Sequence, residues 1–229
     1  MFDIRRIQVH SLKEFLKEFM MIVIGILTAI TIEHQYTQSH KRHQAHQAAE
    51  QVRAEMQANL QQVRESIAAN DQGAKAFRAL EEKLLPLARA GRDKAAQQAA
   101  LAEVMEGHFS IGFSAVEPAQ DAWDAAVSSQ LVSVMPREEL QRFSRIYARQ
   151  RALANHIVAV QQGMRTGLWV RWNSMVTDLE LGQAQPVELL KVVREHVGGL
   201  EALNRKLQAY EKTLSEGVAA PGTEGRAAH

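Results

Sequence analysis

The sequence predicts an all-α protein: an N-terminal transmembrane helix followed by a bundle of long antiparallel helices. Three observations lead there. Apolar residues recur three and four apart over most of the chain, which is the period of a helix face. Only 6% of residues are aromatic, alanine and glutamine are abundant, and no strand-rich zone interrupts the pattern. Near the N-terminus one run is apolar on every face rather than along one stripe, as a lipid-facing helix is.

That run, "FLKEFMMIVIGILTAITIEHQY" over residues 15–36, is the first element. Residues 19–32 carry no charge, but they make only about 21 Å of helix. A hydrocarbon core is ~30 Å thick, so the span takes in residues 15–36. Lys17 then snorkels toward head groups and Tyr36 sits at the interface. No small-x-small site follows the run, so it is read as an uncleaved anchor rather than a signal peptide. A buried core helix is the other reading of a short apolar run. Arg5, Arg6, Lys13 and Lys17 precede the span, and Lys41, Arg42 and Arg53 follow it. This bias places residues 1–14 in the cytoplasm and the bulk of the chain in the periplasm.

Residues 38–85 form the second element, with Ala45, Ala49, Val52, Met56, Leu60, Val63, Ile67, Ala74, Phe77, Leu80 and Leu84 on one stripe. Gly73 marks a weak point and Pro86 an end, and this helix is expected to continue directly out of the membrane. Asp93 and Gly107 cap and stop the next helix. "HFSIGFSAVE", residues 108–117, lacks helical period and reads as a loop or extended segment. Pro118 opens a short helix with Trp123 on its apolar face. Pro136 opens a helix of more than forty residues, striped by Leu140, Phe143, Tyr147, Ala154, Ile157, Met164, Leu168, Trp172, Met175 and Leu179. Glu138 and Glu139 sit in its first turn, where carboxylates suit the dipole, and Gly182 ends it. Pro186 opens the last helix, with Leu190, Val193, Val197, Leu200, Leu203, Leu207, Tyr210 and Leu214 on its seam. Residues 37–216 are therefore the bundle domain, and 217–229 read as a disordered tail.

Composition excludes several functions. Lys and Arg number 27 against 26 Asp and Glu, which leaves no electrostatic footprint for nucleic acid. The absence of cysteine excludes disulfides, thiolate metal sites and a cysteine nucleophile. Ser114 in "GFSAV" lacks the second glycine of a nucleophile elbow. There is no phosphate loop and no Glu-x-x-His pair of a di-iron bundle. Neither catalysis nor a cofactor is expected.

Four groups of residues remain as candidates. His40, His43 and His46 repeat every third residue, with His34 before them and Glu50 after. Imidazoles and a carboxylate at that spacing suit zinc, copper or nickel, though polar residues also simply line a helix leaving a membrane. Gly25 and Ala29 are four apart, the small-x-x-x-small pattern of paired membrane helices. Glu18 and Glu33 at the membrane edges are easier to place between helices than against lipid. The seam Ala45, Ala49, Val52, Met56, Val63 continues that face, either as a coiled coil between two copies or packed on the chain's own later helices. Last, Trp123, Gly163, Gly167, Trp169 and Trp172 form a partner or packing surface. The two glycines suggest close approach of another helix, and Trp169 and Trp172 are spaced to face one groove.

"FLKEFMMIVIGILTAITIEH" and the segment "AWDAAVSSQLVSVMPREELQRFSRIYARQ", with its Trp123-x-x-Ala126-x-x-Ser129, together resemble a family of bacterial single-span membrane proteins of unknown function. The family ends its anchor with Asn and Trp where this chain has Glu33 and His34. The resemblance implies architecture and a bacterial inner-membrane location, with no activity attached. The expected function is that of a membrane-anchored, non-enzymatic protein that contacts lipid, self-associates and binds or organises a protein partner. A periplasmic ligand-sensing bundle is the alternative, and a metal-binding protein the third reading.

Overall fold

The computed structural model describes residues 12–89, 94–106 and 111–219. Among these, every regular element is helical and no strand occurs. Helix α1, Leu12–Arg89, runs unbroken for 78 residues, about 117 Å. The apolar run and the amphipathic stripe are one helix. It passes through Gly73 and ends three residues beyond Pro86. Neither position breaks it, because the buried side chains of Asn70, Ala74, Phe77 and Leu80 bracket Gly73 and hold that stretch by packing.

Along α1 no side chain from residue 15 to residue 37 is buried, and the first buried one is Ala45. The helix is long and apolar enough in its first part to cross a membrane. From about Met56 onward its stripe meets helix α6, Pro186–Ala219, whose Gly217 lies against Met56. Arg64 Nε donates to Glu211 at 2.8 Å, Arg78 pairs with Glu201, and Arg194 Nε donates to Glu81 at 2.7 Å. Partners fall along α6 as they rise along α1, so the two helices run antiparallel. These exposed pairs contribute little each; the seam itself holds the pair, with Val52, Met56, Val63, Leu203, Leu207 and Leu214 all buried.

Helix α2 spans Lys94–Met105 and α3 spans Asp121–Ser128. A 3₁₀ turn, Leu131–Val134, follows Gln130 in a left-handed conformation (φ 60°). Helix α4, Arg137–Gly163, passes through a π-helical turn, Met164–Leu168, into α5, Trp169–Glu180. Within α4 the buried stripe runs through Leu153, not Ala154, which is exposed. Gly182 closes α5 at φ +66°, where a side chain would be strained. Helix α6 carries on through Gly217 to Ala219, so the expected tail does not begin at 217. A Cβ on Gly217 would collide with Ile146 Cδ1 and Met56 Cε, and that close approach explains the glycine. Residues 220–229, most of the N-terminal segment, Asp93, Gly107 and His108 lie outside the described residues.

Two apolar cores lie in series. One joins Val52, Met56, Trp123, Phe143, Tyr147 and Leu207; the other joins Phe77, Leu84, Leu101, Trp172, Leu190 and Val193. Between them is a polar layer. Asn204 Nδ2 donates to the Ile67 carbonyl and to Asp71, and Asn70 donates to Asn204 Oδ1.

The non-helical segment 111–120 is bonded to α1 at two points. Asn70 Oδ1 accepts from the Ser114 N–H at 2.6 Å, and its Nδ2 donates to the Ser114 carbonyl at 3.0 Å. Asn59 repeats this pairing on Ala119, at 2.9 Å and 2.8 Å. Eleven helical residues separate the asparagines, about 16 Å. Five extended residues separate Ser114 from Ala119, also about 16 Å. The matched lengths explain why this stretch is extended. They also explain why α3 starts at Asp121 rather than at Pro118: the backbone of Pro118 and Ala119 is already bonded, by Asn59 and by Gln150 Nε2.

Candidate functional site

The π turn determines which side of α4–α5 faces outward. Apolar positions Val160, Met164, Leu168 and Trp172 are four apart at every step. Three such steps overrun the helical period by about 120°, and a π turn, with its one extra residue, takes up about 100° of it. Leu168 and Trp172 are thereby kept in the core, with Trp172 edge-on to Phe77 at 6.0 Å.

Trp169 does not join them. It is 55% exposed where Trp172 is 6% exposed, so the two do not share one groove, as their spacing had suggested. Gly163 and Gly167 mark no close helix contact either, since a Cβ on either would meet nothing within 4 Å. They belong to the wide turn instead. Trp123 is a packing residue: it stacks on Tyr147 at 5.2 Å and meets Phe143 edge-on at 6.3 Å.

Outside the π turn lies a groove of about 550 Å³. Ile111, Gly112 and Phe113 of the extended segment form one wall; Gln161, Met164, Arg165 and Trp169 form the other. Phe113 and Met164 also line a smaller cavity of about 40 Å³ behind it, with Val160, Leu168, His196, Gly199, Leu200 and Leu203. His196 is 2% exposed, and its Nε2 has no hydrogen-bond partner. Its ring stands edge-on to Phe77 at 4.5 Å. No local pattern signals this groove, because its two walls are some fifty residues apart in the chain and the extended wall is held in place by the Asn70 clamp on Ser114.

Burial pushes the His196 imidazole down to about 4 from an ordinary value of 6.5. Between those values the unfolded chain binds a proton that the folded chain does not, so stability is intact above pH 6.5 and falls as pH drops toward 4. The shift corresponds to about 3 kcal/mol at most. His196→Leu should flatten the fall in urea midpoint across that window relative to the parent chain. Identical pH profiles for the two proteins would contradict a neutral, buried His196.

The histidines at 40, 43 and 46 do not converge. Among the described residues no three His, Asp or Glu side chains form a set that holds a metal. Positions 40, 43 and 46 each rise about 4.5 Å along a single helix, and among the described residues no second element completes a ligand set. Glu50 instead pairs with Arg53, which also bonds the buried Glu139. The seam of Ala45, Ala49, Val52, Met56 and Val63 is buried within this chain's own core, so it is not free to pair with a second copy. Gly25 and Ala29 remain on an open face, with nothing within 4 Å of a Cβ on Gly25.

No protein-family model matches the chain, and comparison with curated proteins and with solved structures finds no significant match.

Proposed function

We propose that this chain is a membrane-anchored, non-enzymatic protein: a single-span anchor followed by a helical bundle that binds or organises a protein partner at the bacterial inner membrane. One observation carries it. The apolar first part of α1 has no buried side chain, yet it continues without a break into the helix that centres the core. A core helix of a soluble protein would be covered over that stretch; here more than twenty consecutive residues find no cover among the described residues. Lipid supplies it, and the rigid helix carries the domain away from the surface. The charge bias supports a cytoplasmic N-terminus with the bundle in the periplasm. Gly25 and Ala29 support association of two anchors within the bilayer.

Carbonate extraction tests the anchor. Full-length protein is expected to stay with the membrane pellet, while a chain beginning near Gln38 is expected in the soluble fraction with helical circular dichroism. Recovery of intact full-length protein in the carbonate supernatant would refute the anchor.

A second reading, a ligand-sensing bundle, is favoured by the groove beside Trp169. An exposed tryptophan, a cation with no ion pair among the described residues and a mostly apolar wall meet there at a π turn, a feature common at functional sites.

A further inference from the structure

We infer that the groove between the extended segment and the π turn binds a compact organic anion. The guest is an aromatic or branched aliphatic carboxylate, its carboxylate on Arg165 and its apolar body against Trp169, Phe113 and Met164.

The chemistry of the walls selects this class. Arg165 forms no ion pair among the described residues, as Arg151 and several other arginines do not; what sets it apart is its place on the wall of an apolar groove. A planar guanidinium beside an apolar wall matches a carboxylate in two parallel bonds. Trp169 lies four residues along from Arg165 and lines the same groove. Its exposed ring provides a flat apolar surface at little conformational cost. At about 550 Å³ the groove falls within the range of small-molecule sites.

A second observation points the same way. Buried polar atoms are nearly always bonded, and His196 Nε2 is not; His196 is one of the residues around the cavity that Phe113 and Met164 share with the groove. A polar substituent or water accompanying the guest would satisfy it. The guest comes from solution and not from the bilayer: Phe113 sits beside Ser114 at the level of Asn70, about 50 Å along α1 from Tyr36.

This site rests on the ligand-sensing reading of the groove and is independent of the anchor. The test uses the full chain in lipid nanodiscs, titrated with 4-(trifluoromethyl)benzoate and followed by fluorine NMR, with empty nanodiscs as the blank. 4-(Trifluoromethyl)benzamide, the same shape without the charge, is titrated in parallel. The acid should bind saturably and at least about tenfold more tightly than the amide. Arg165→Gln should remove that preference, Trp169→Ala should weaken both ligands, and Arg151→Gln, an equal charge loss at another exposed position, should change neither. Equal binding of acid and amide, or an acid affinity unchanged in Arg165→Gln, overturns the anion site while leaving the groove as a ligand site. Saturable binding of neither probe overturns both.

Discussion

Trp123→Ala is expected to destabilise the folded domain by about 3–5 kcal/mol, the usual cost of emptying a large aromatic site in a core. The ring is 7% exposed and lies nearly parallel to Tyr147 at 5.2 Å, with Phe143 edge-on at 6.3 Å. Helix α3 has only eight residues, and Trp123 and Ala126 are its buried ones. Alanine at 123 would leave this helix with no large anchor. What remains is the polar tether in which Glu55 Oε2 accepts from the Ala122 N–H at 2.8 Å and Glu55 Oε1 accepts from the Tyr147 hydroxyl at 2.5 Å. Burial, together with that bond, pushes the Tyr147 phenol up, so it stays a neutral donor and the tether persists at neutral pH. Collapse around the vacated site is limited because α1 and α4 flank it. Urea denaturation followed by helical circular dichroism reads the loss directly. A change below about 1 kcal/mol would mean that the indole contributes no more than a surface side chain, and would return Trp123 to the partner-binding candidates. Trp123→Phe should recover part of the loss, since it keeps an aromatic face for Tyr147.

What was legible in the sequence is whatever one helix decides by itself. The stripe from Ala45 to Leu84 and the seam from Leu190 to Leu214 are periodic over many turns, and each predicted seam residue of α6 is buried. The unbroken exit of the apolar run into α1 was legible too, because no cap or breaker stands between them. Pro118 misled for a physical reason. Proline suits a first helical turn, but partners sixty and thirty-two residues away along the chain, Asn59 and Gln150, hold the backbone around it. Local propensity cannot register such bonds. The π turn was half legible: the repeated spacing of four from Val160 to Trp172 is a drift that a regular α-helix cannot sustain. The groove was not legible at all, since it needs the extended segment laid beside that turn.

The two asparagine clamps look equivalent, and they should not behave so. Asn70→Leu is expected to cost about 2–6 kcal/mol and Asn59→Leu about 1 kcal/mol or less, since a fully buried unpaired group costs about 1–3 kcal/mol. Asn70 leaves the half-buried Ser114 backbone and the buried Asn204 Oδ1 short of partners, whereas Asn59 serves the exposed Ala119. Both side chains are almost fully buried, and both bond one residue's N–H and carbonyl. The difference lies in what stands behind them. The Ala119 carbonyl also accepts from Gln150 Nε2 at 3.0 Å, and Gln150 Oε1 accepts from the Tyr210 hydroxyl at 2.7 Å. Losing Asn59 therefore frees one group, the Ala119 N–H, at an exposed residue that water can reach. Asn70 has no such understudy: its loss strands the Ser114 N–H and carbonyl, and removes the donor to Asn204 Oδ1 at 3.1 Å. Leucine shares the branching of asparagine and is larger, so neither variant opens a cavity, and the overpacking cost falls on both buried sites alike. Chemical denaturation ranks the pair, and amide exchange places the damage. The Ser114 amide should lose protection in Asn70→Leu before the helices do, and the wall carrying Phe113 should loosen with it. Equal losses for the two variants, or a larger one at Asn59, would mean that desolvated backbone around Ser114 finds other partners, and that the extended segment is held by its apolar contacts instead.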